Sequence, residues 1–300
     1  MLSSAAPMGV VALGAMVVII SGGLDMTAEQ GVAASAAVAG CVFGWSQNNI
    51  WLTFAAALLA GALLGVINGV IITKLHIQPF ITTLATMALC QGIAFWLNEG
   101  HTVNLMENPN FNVLASTLLL ESQSREIVNG SEVVVTHGIP LSFIIFLALA
   151  IATYMVLNKT KMGGYVYSLG GKEEAVAFAG VPVVRYKILV YMFAGFCTGV
   201  GTCITISRVG HIAANTTGAT LMDVVGSVII GGTSVSGGKG YVFGTVMGVL
   251  IMVVISQLFY FWNIPTLWRD VFKGAIILFA LVLDRVVNQW NSRRKALLPT

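Results

Sequence analysis

Gly170-Gly171-Lys172-Glu173-Glu174-Ala175-Val176-Ala177-Phe178-Ala179-Gly180-Val181-Pro182 lies at the centre of the one long charged interruption in an oily chain. The interruption, Asn158 to Lys187, holds Lys159, Lys161, Lys172, Glu173, Glu174, Arg185 and Lys187, with apolar sequence on both sides. Its centre reads as a short isolated helix. Glu173 and Glu174 fall in the first turn, where carboxylates favour the positive end of the helix dipole. Gly180 supplies the stop and Pro182 prevents continuation. A helix of about two turns is marginal alone in water. It needs a surface to lean on, and the reading is that a partner protein provides it.

The flanking sequence sets the solvent. Hydrophobic residues make up 57% of the chain and charged residues 9%, with a mean hydropathy of +0.88. Soluble domains carry about 25% charged residues. Too few polar groups are present to cover a globular surface, so the chain belongs in a bilayer. Cys41, Cys90, Cys197 and Cys203 all lie in apolar runs without a C-x-x-C spacing and read as small packing residues. The first apolar run ends at Gly22-Gly23-Leu24-Asp25, without the basic start or small-residue cleavage site of a secretory signal.

A span needs about 20 mostly apolar residues. Ala5–Ser21, Met26–Trp45, Ile50–Thr73, Phe80–Leu97, Pro140–Leu157, Ile188–Ser207, Tyr241–Trp262 and Leu267–Asn288 qualify or nearly do. Gly61, Gly65 and Gly69 form a packing face, since small residues let helices approach closely in lipid. Ala219–Gly232 is apolar, short and bounded by glycines, the pattern of a half-helix or re-entrant segment. The expected fold class is therefore all-α and polytopic, with about nine membrane segments. The polar stretch 98–139 reads as an extracytoplasmic loop, with a short helix near Asn112–Gln123. Placing 158–187 and the tail 289–300 in the cytoplasm puts most lysines and arginines inside. The start then falls outside, which points to one further span upstream. Ile19-Ile20-Ser21-Gly22-Gly23 and Ile229-Ile230-Gly231-Gly232-Thr233 echo one another, as in transporters with duplicated halves.

Few polar residues interrupt the spans. Asp25, with Thr27, reads as a cap on the following helix. For Asp223, in the first turn of the half-helix, a capping role and a place in a pathway or gate both stand. Asn68, Gln91 and Thr82, Thr83 and Thr86 either bond a hydroxylated solute or join neighbouring helices. Thr233-Ser234-Val235-Ser236-Gly237-Gly238-Lys239-Gly240 superficially suggests a phosphate loop. Thr233 stands where the first glycine belongs and Gly240 where the hydroxyl belongs, so it reads instead as a tight turn between membrane segments. His76, His101, His137 and His211 lack ligand spacing, so no metal is implied. No nucleophile–base constellation or catalytic residue can be named.

Four stretches together resemble the membrane permeases of ABC importers of the ribose/xylose/arabinose/galactose class. Ile19–Thr27 (IISGGLDMT) is similar to the family's I-x-G-G-I-D-L-S, and Gly65–Gly69 with Pro79–Leu84 to its G-x-x-N-G … P-x-F-I-x-T-L. Gly170–Val181 resembles its cytoplasmic G-G-N-x-x-A-A-x-x-S-G-I loop. Leu221-Met222-Asp223 … Gly231-Gly232-Thr233-Ser234 … Gly237-Gly238-Lys239-Gly240 resembles its L-D … G-G-T-S-x-x-G-G-x-G signature. At Ala28-Glu29-Gln30 the chain departs from the usual Ser-Val-Gly and places a carboxylate in the turn.

The resemblance implies a type II-like permease paired with a second permease copy or paralogue. Two ABC ATPase subunits would sit below it, using ATP and Mg that this chain does not bind. A periplasmic or lipid-anchored solute-binding protein would sit above, and the assembly would lie in the bacterial cytoplasmic (inner) membrane. Gly171, Lys172, Glu173, Glu174, Ala175, Ala179, Gly180 and Val181 would form the coupling helix seated in a groove of the ATPase. Asn68, Gln91, Asp223, Thr233 and Ser234 are candidates for the translocation pathway or gate. The rival reading, an ion-coupled secondary transporter, needs an intramembrane coupling-ion site, for which only Asp25 and Asp223 are available.

Overall fold

A computed structural model describes the backbone of residues 1–128 and 131–296 and the side chains of residues 1–119 and 138–282. Glu121, Arg125, Glu126 and Glu132 of the polar loop, and Arg285, Arg293, Arg294 and Lys295 of the tail, lie outside the described side chains. The elements run α1 (Leu2–Ile20), α2 (Ala28–Trp45), α3 (Ile50–Lys74), α4 (Pro79–Asn98), β1 (Val103–Asn104), α5 (Val113–Ser116), β2 (Leu118–Val128) and β3 (Ser131–Pro140). They continue with α6 (Leu141–Lys159), α7 (Lys161–Gly171), α8 (Glu173–Phe178), α9 (Val183–Val209), β4 (His211–Ile212), α10 (Leu221–Ile230), α11 (Val242–Phe261) and α12 (Thr266–Ala296). Among the described residues six helices, α1, α3, α4, α6, α9 and α11, are long and apolar enough to cross a bilayer.

The long helices alternate in direction between two ends. One end carries α7 and α8, the other carries β2 and β3. Trp45, Trp51, Trp96, Trp262 and Trp268 are all exposed, and all lie at or near helix ends on the β2–β3 side. That is where an aromatic belt marks a membrane–water boundary.

Helix α1 is apolar all round and almost wholly buried, as such a helix must be when other helices rather than lipid surround it. Its neighbours are α6, α9, α10 and α11. The tightest seam joins α3 to α9. A Cβ added to Gly65 would lie 2.2 Å from the Tyr191 carbonyl oxygen, and one on Gly195 would lie 2.3 Å from that of Gly61. These glycines let two backbones touch, as the spacing of Gly61, Gly65 and Gly69 predicts.

The 10 residues of α10 span about 15 Å at 1.5 Å per residue, half of a hydrocarbon core of about 30 Å. Gly231 packs on Gly244, and Gly248 on the Ser227 carbonyl, so protein covers the short helix along α11. The half-helix reading of Ala219–Gly232 therefore describes its length. The sequence echo has a structural counterpart at the ends of α1 and α10. Gly23 N–H donates to Val18 O and Gly22 N–H to Ile19 O, both at 3.0 Å. Thr233 N–H donates to Val228 O at 3.2 Å and Gly232 N–H to Ile229 O at 2.9 Å. Gly22 and Gly232 take φ of 81° and 82°. Both ends are the same left-handed glycine cap.

The chain is predominantly helical, consistent with the all-α polytopic class expected, and carries two small antiparallel ladders, β2 with β3 from Leu118↔Pro140 to Val128↔Ser131 and β1 with β4. Two expectations about single elements require correction. Only α5 represents the helix expected near Asn112–Gln123. The Gly170–Pro182 helix is also shorter than read. Gly170 and Gly171 close α7, Lys172 is extended (φ −150°, ψ 94°), and α8 covers only Glu173–Phe178. The reason is an apolar stripe, Met162, Val166 and Leu169, whose i, i+4, i+7 spacing docks α7 on the core. Thr160 starts that helix, accepting from Gly163 N–H at 3.4 Å.

Candidate coupling and pathway site

Helix α8 stands off the body with one buried side chain. Val176 is buried, whereas Phe178 is 91% exposed. Gly180, at φ 78°, ends the helix with the same cap as α1 and α10. Its N–H donates to Ala177 O at 3.0 Å and the Val181 N–H to Val176 O at 3.4 Å. Glu173 reaches Lys187 of α9 at 2.6 Å, an exposed pair that fixes direction more than it adds stability. Between α8, the start of α9 and the α3–α4 turn lies an open groove of about 1160 Å³, lined among others by Ile72, His76, Pro79, Ala177, Phe178 and Val184. Phe178 thus stands exposed beside this groove, and exposed apolar groups rimmed by polar residues are a feature of interaction sites.

The second concentration of chemistry is the N-terminus of α10. Thr220 caps it, accepting from Asp223 N–H at 3.2 Å and donating to Asp223 Oδ2 at 2.9 Å. Lys273, seven residues into α12, places Nζ 2.7 Å from Asp223 Oδ1 and 2.9 Å from Oδ2. Both side chains are largely buried. Glu29 of α2 accepts the Leu221 N–H at 2.8 Å. The carboxylate that breaks the family pattern thus satisfies an orphan donor at the positive end of the half-helix. The pair gives Asp223 a structural partner on α12 in addition to its capping contacts with Thr220. A lysine inside an apolar span was the signal available in the sequence, because such a charge needs an intramembrane partner.

The match to known proteins covers the same frame. Residues 1–281 match the family model described as "Branched-chain amino acid transport system / permease component". The chain belongs to this family of ABC-importer permeases. The permease is 31% identical over 280 residues to the ribose import permease protein RbsC of Haemophilus influenzae, covering 93% of this chain and 82% of that one. It is 33% identical over 280 residues to RbsC of Bacillus subtilis, covering 92% and 81%. It is 31% identical over 290 residues to the galactose/methyl galactoside import permease protein MglC of Salmonella typhimurium, covering 92% and 82%. No solved structure matches it. The ABC-importer reading is thereby favoured over the ion-coupled one, and the permease resides in the bacterial cytoplasmic membrane.

The remaining polar residues of the permease divide by what they touch. Asn68 is buried and donates through Nδ2 to Thr27 Oγ1 at 3.3 Å, joining α3 to the start of α2. Thr83 donates to Leu24 O at 3.2 Å, joining α4 to the same turn, and Thr86 bonds the carbonyl of Thr82 one turn back. Asp25 is not a helix cap: its Oδ1 accepts from Thr27 N–H at 2.9 Å and from the Thr27 hydroxyl, closing a turn ahead of α2. Asn68 and Thr83 thus tie separate elements together, whereas Thr86 and Asp25 bond locally. Gln91 is exposed on the outer face of α4. Thr233 is buried and its hydroxyl has no partner among the described residues. Ser234 N–H closes the following turn on Lys239 O at 3.0 Å.

Proposed function

We propose that this permease is the translocating subunit of an ATP-driven monosaccharide importer, and that α8 receives the movement of partner ATPases. The observation that carries the reading is the exposed α8 with Phe178 at its tip, in a chain that sugar-import permeases match over 92–93% of its length. Gly171 to Glu174, Ala175 and Ala179 to Val181 make up the docking surface, with the groove against the α3–α4 turn beside it. The end bearing α8 then faces the cytoplasm. The end bearing the β2–β3 hairpin faces a solute-binding protein. Helices α2 and α12 and the half-helix α10 bring the membrane segments to about nine, α2 because its small apolar residues suit a span enclosed by protein.

Two copies, or this chain and a paralogue, enclose the solute path. Gln91 supports that arrangement: an amide turned outward from the middle of a span is costly against hydrocarbon and suited to a polar path between protomers. Thr233 and Ser234 lie at the inner end of α10, where a gate would act, and Asn68 and Asp223 hold the helices that frame it. ATP and Mg act on the partner ATPase. The binding protein selects the sugar, so the path itself needs few charges.

The test is uptake of labelled ribose or galactose into vesicles carrying the whole importer, with ATP inside and ion gradients dissipated. Uptake should persist. Its collapse would return the ion-coupled reading. Glu174→Arg and Gly180→Pro should insert normally yet lose the ATPase on co-purification. Wild-type recovery of the ATPase with both would remove α8 from the interface.

A further inference from the structure

Three glycine pairs far apart in sequence meet at one point on the α8 end. A Cβ on Gly170, in the last turn of α7, would lie 1.9 Å from Ile20 O and 2.4 Å from Gly238 N. One on Gly237 would lie 2.8 Å from Gly170 O and 3.0 Å from Gly22 Cα. One on Gly22 would lie 3.3 Å from Gly170 Cα. Gly238 N–H donates to Ile20 O at 2.9 Å, and the Tyr167 hydroxyl of α7 donates to Gly240 O at 2.9 Å. Backbone therefore touches backbone among the end of α1, the end of α7 and the turn that follows α10. No side chain intervenes to absorb a displacement by changing rotamer, and close-packed contacts transmit strain.

We propose that Gly170 is a positioning residue that carries the movement of α8 to the half-helix α10. The proposal rests on α8 being the coupling helix and extends it to a route other than the spans α6 and α9 that flank the interruption. One residue, Lys172, separates α7 from α8. The turn 231–241 continues directly from α10 into α11. The far end of α10 is held by Glu29, Asp223 and Lys273. A push on α7 thus arrives at the C-terminal end of α10, which rests on Gly244 of α11, while the N-terminal end is held by the polar tie. The same contact lifts or lowers the end of α1, the most buried helix of the bundle.

The experiment uses the complete importer in proteoliposomes and reads ATP hydrolysis and sugar uptake separately. Gly170→Ala should retain the ATPase and hydrolyse ATP at the wild-type rate while uptake falls at least tenfold. Gly164→Ala, on the same helix with open space around it, should match wild type in both. Full uptake by Gly170→Ala, or parallel loss of ATPase binding, hydrolysis and uptake, overturns the proposal. If Gly170→Ala does not reach the membrane, Tyr167→Phe decides. Removing that one hydrogen bond should lower uptake per ATP about fivefold, the population shift one neutral bond can carry. An unchanged ratio overturns the proposal. Phe178→Asp separates the two readings. If it releases the ATPase while Gly170→Ala transports normally, only the junction is lost; if it keeps the ATPase bound, α8 is not the coupling helix.

Discussion

Asp25 and Asp223 are equally buried, at 7% and 8% exposure, and each stands next to the start of a helix. They solve the problem of a buried acid differently. Asp25 is contained within its own turn, where its described partners are the amide and hydroxyl of Thr27. Asp223 is shared. It caps α10 with Thr220 and pairs with Lys273 of α12, while Glu29 of α2 bonds the same helix end. One acid shapes a loop; the other ties α10 to α12, at a helix end that Glu29 also joins to α2. The difference matters to an alternating-access machine. A local turn travels intact with the element that holds it, whereas a tie between helices fixes which elements move together.

The largest effect should come from breaking the tie on one side. Lys273→Met leaves Asp223 buried without its cation, and removing one partner of a buried pair costs about 3–5 kcal/mol. The check is the thermal unfolding midpoint of the detergent-solubilised permease. The double variant Asp223→Asn/Lys273→Met should recover most of the loss, because neither charge is then stranded. A Lys273→Met variant as stable as wild type would mean that the pair is not a structural tie.

That pair also marks the limit of reading the chain without its fold. Apolar runs located α1, α3, α4, α6, α9 and α11 within a few residues, because a bilayer imposes length and composition on each span separately. Gly180 and Pro182 placed the end of α8 for an equally local reason. Lys273 and Asp223 stand 50 positions apart, and Glu29 bonds a residue 192 positions away. Neither pairing leaves a local pattern. Other features left a pattern that competed with a stronger one. Asn129-Gly130 ahead of Val133-Val134-Val135 is a hairpin signature, masked by the polar, asparagine-rich surroundings. Met162, Val166 and Leu169 form a helical stripe masked by the glycines and lysines of the interruption. The meeting of Gly22, Gly170 and Gly237 was present as three separate motifs, and only the fold brings them to one point.

A smaller effect is expected at the self-contained acid. Asp25→Ala removes the acceptor for Thr27 N–H and its hydroxyl, leaving buried donors unmet, for about 1–3 kcal/mol. Asp25→Asn keeps an acceptor for the amide and should lose only part of that. Both belong in the same unfolding measurement. A loss at Asp25→Ala as large as at Lys273→Met would place Asp25 in a wider network and erase the contrast.

The smallest effect tests whether the tie at α10 acts as one unit. Glu29→Gln keeps an oxygen for the Leu221 N–H now bonded at 2.8 Å and removes only the negative charge. The loss is then that of a charge near a helix N-terminus, about 0.3–1 kcal/mol. Asp223 lies in the same first turn, so the helix end still has a carboxylate beside it. Residues sharing one polar network are not additive, and a double-variant cycle measures the shortfall. If Glu29 and Lys273 act independently, Glu29→Gln should lower the unfolding midpoint by the same small amount in the wild-type and Lys273→Met backgrounds. If they form one tie, removing Glu29's charge should destabilise less, or even relieve repulsion, once Lys273 is gone and two carboxylates are left at the same end of α10. The second outcome follows from the geometry, because both acids then compete for the one positive helix end with no cation between them.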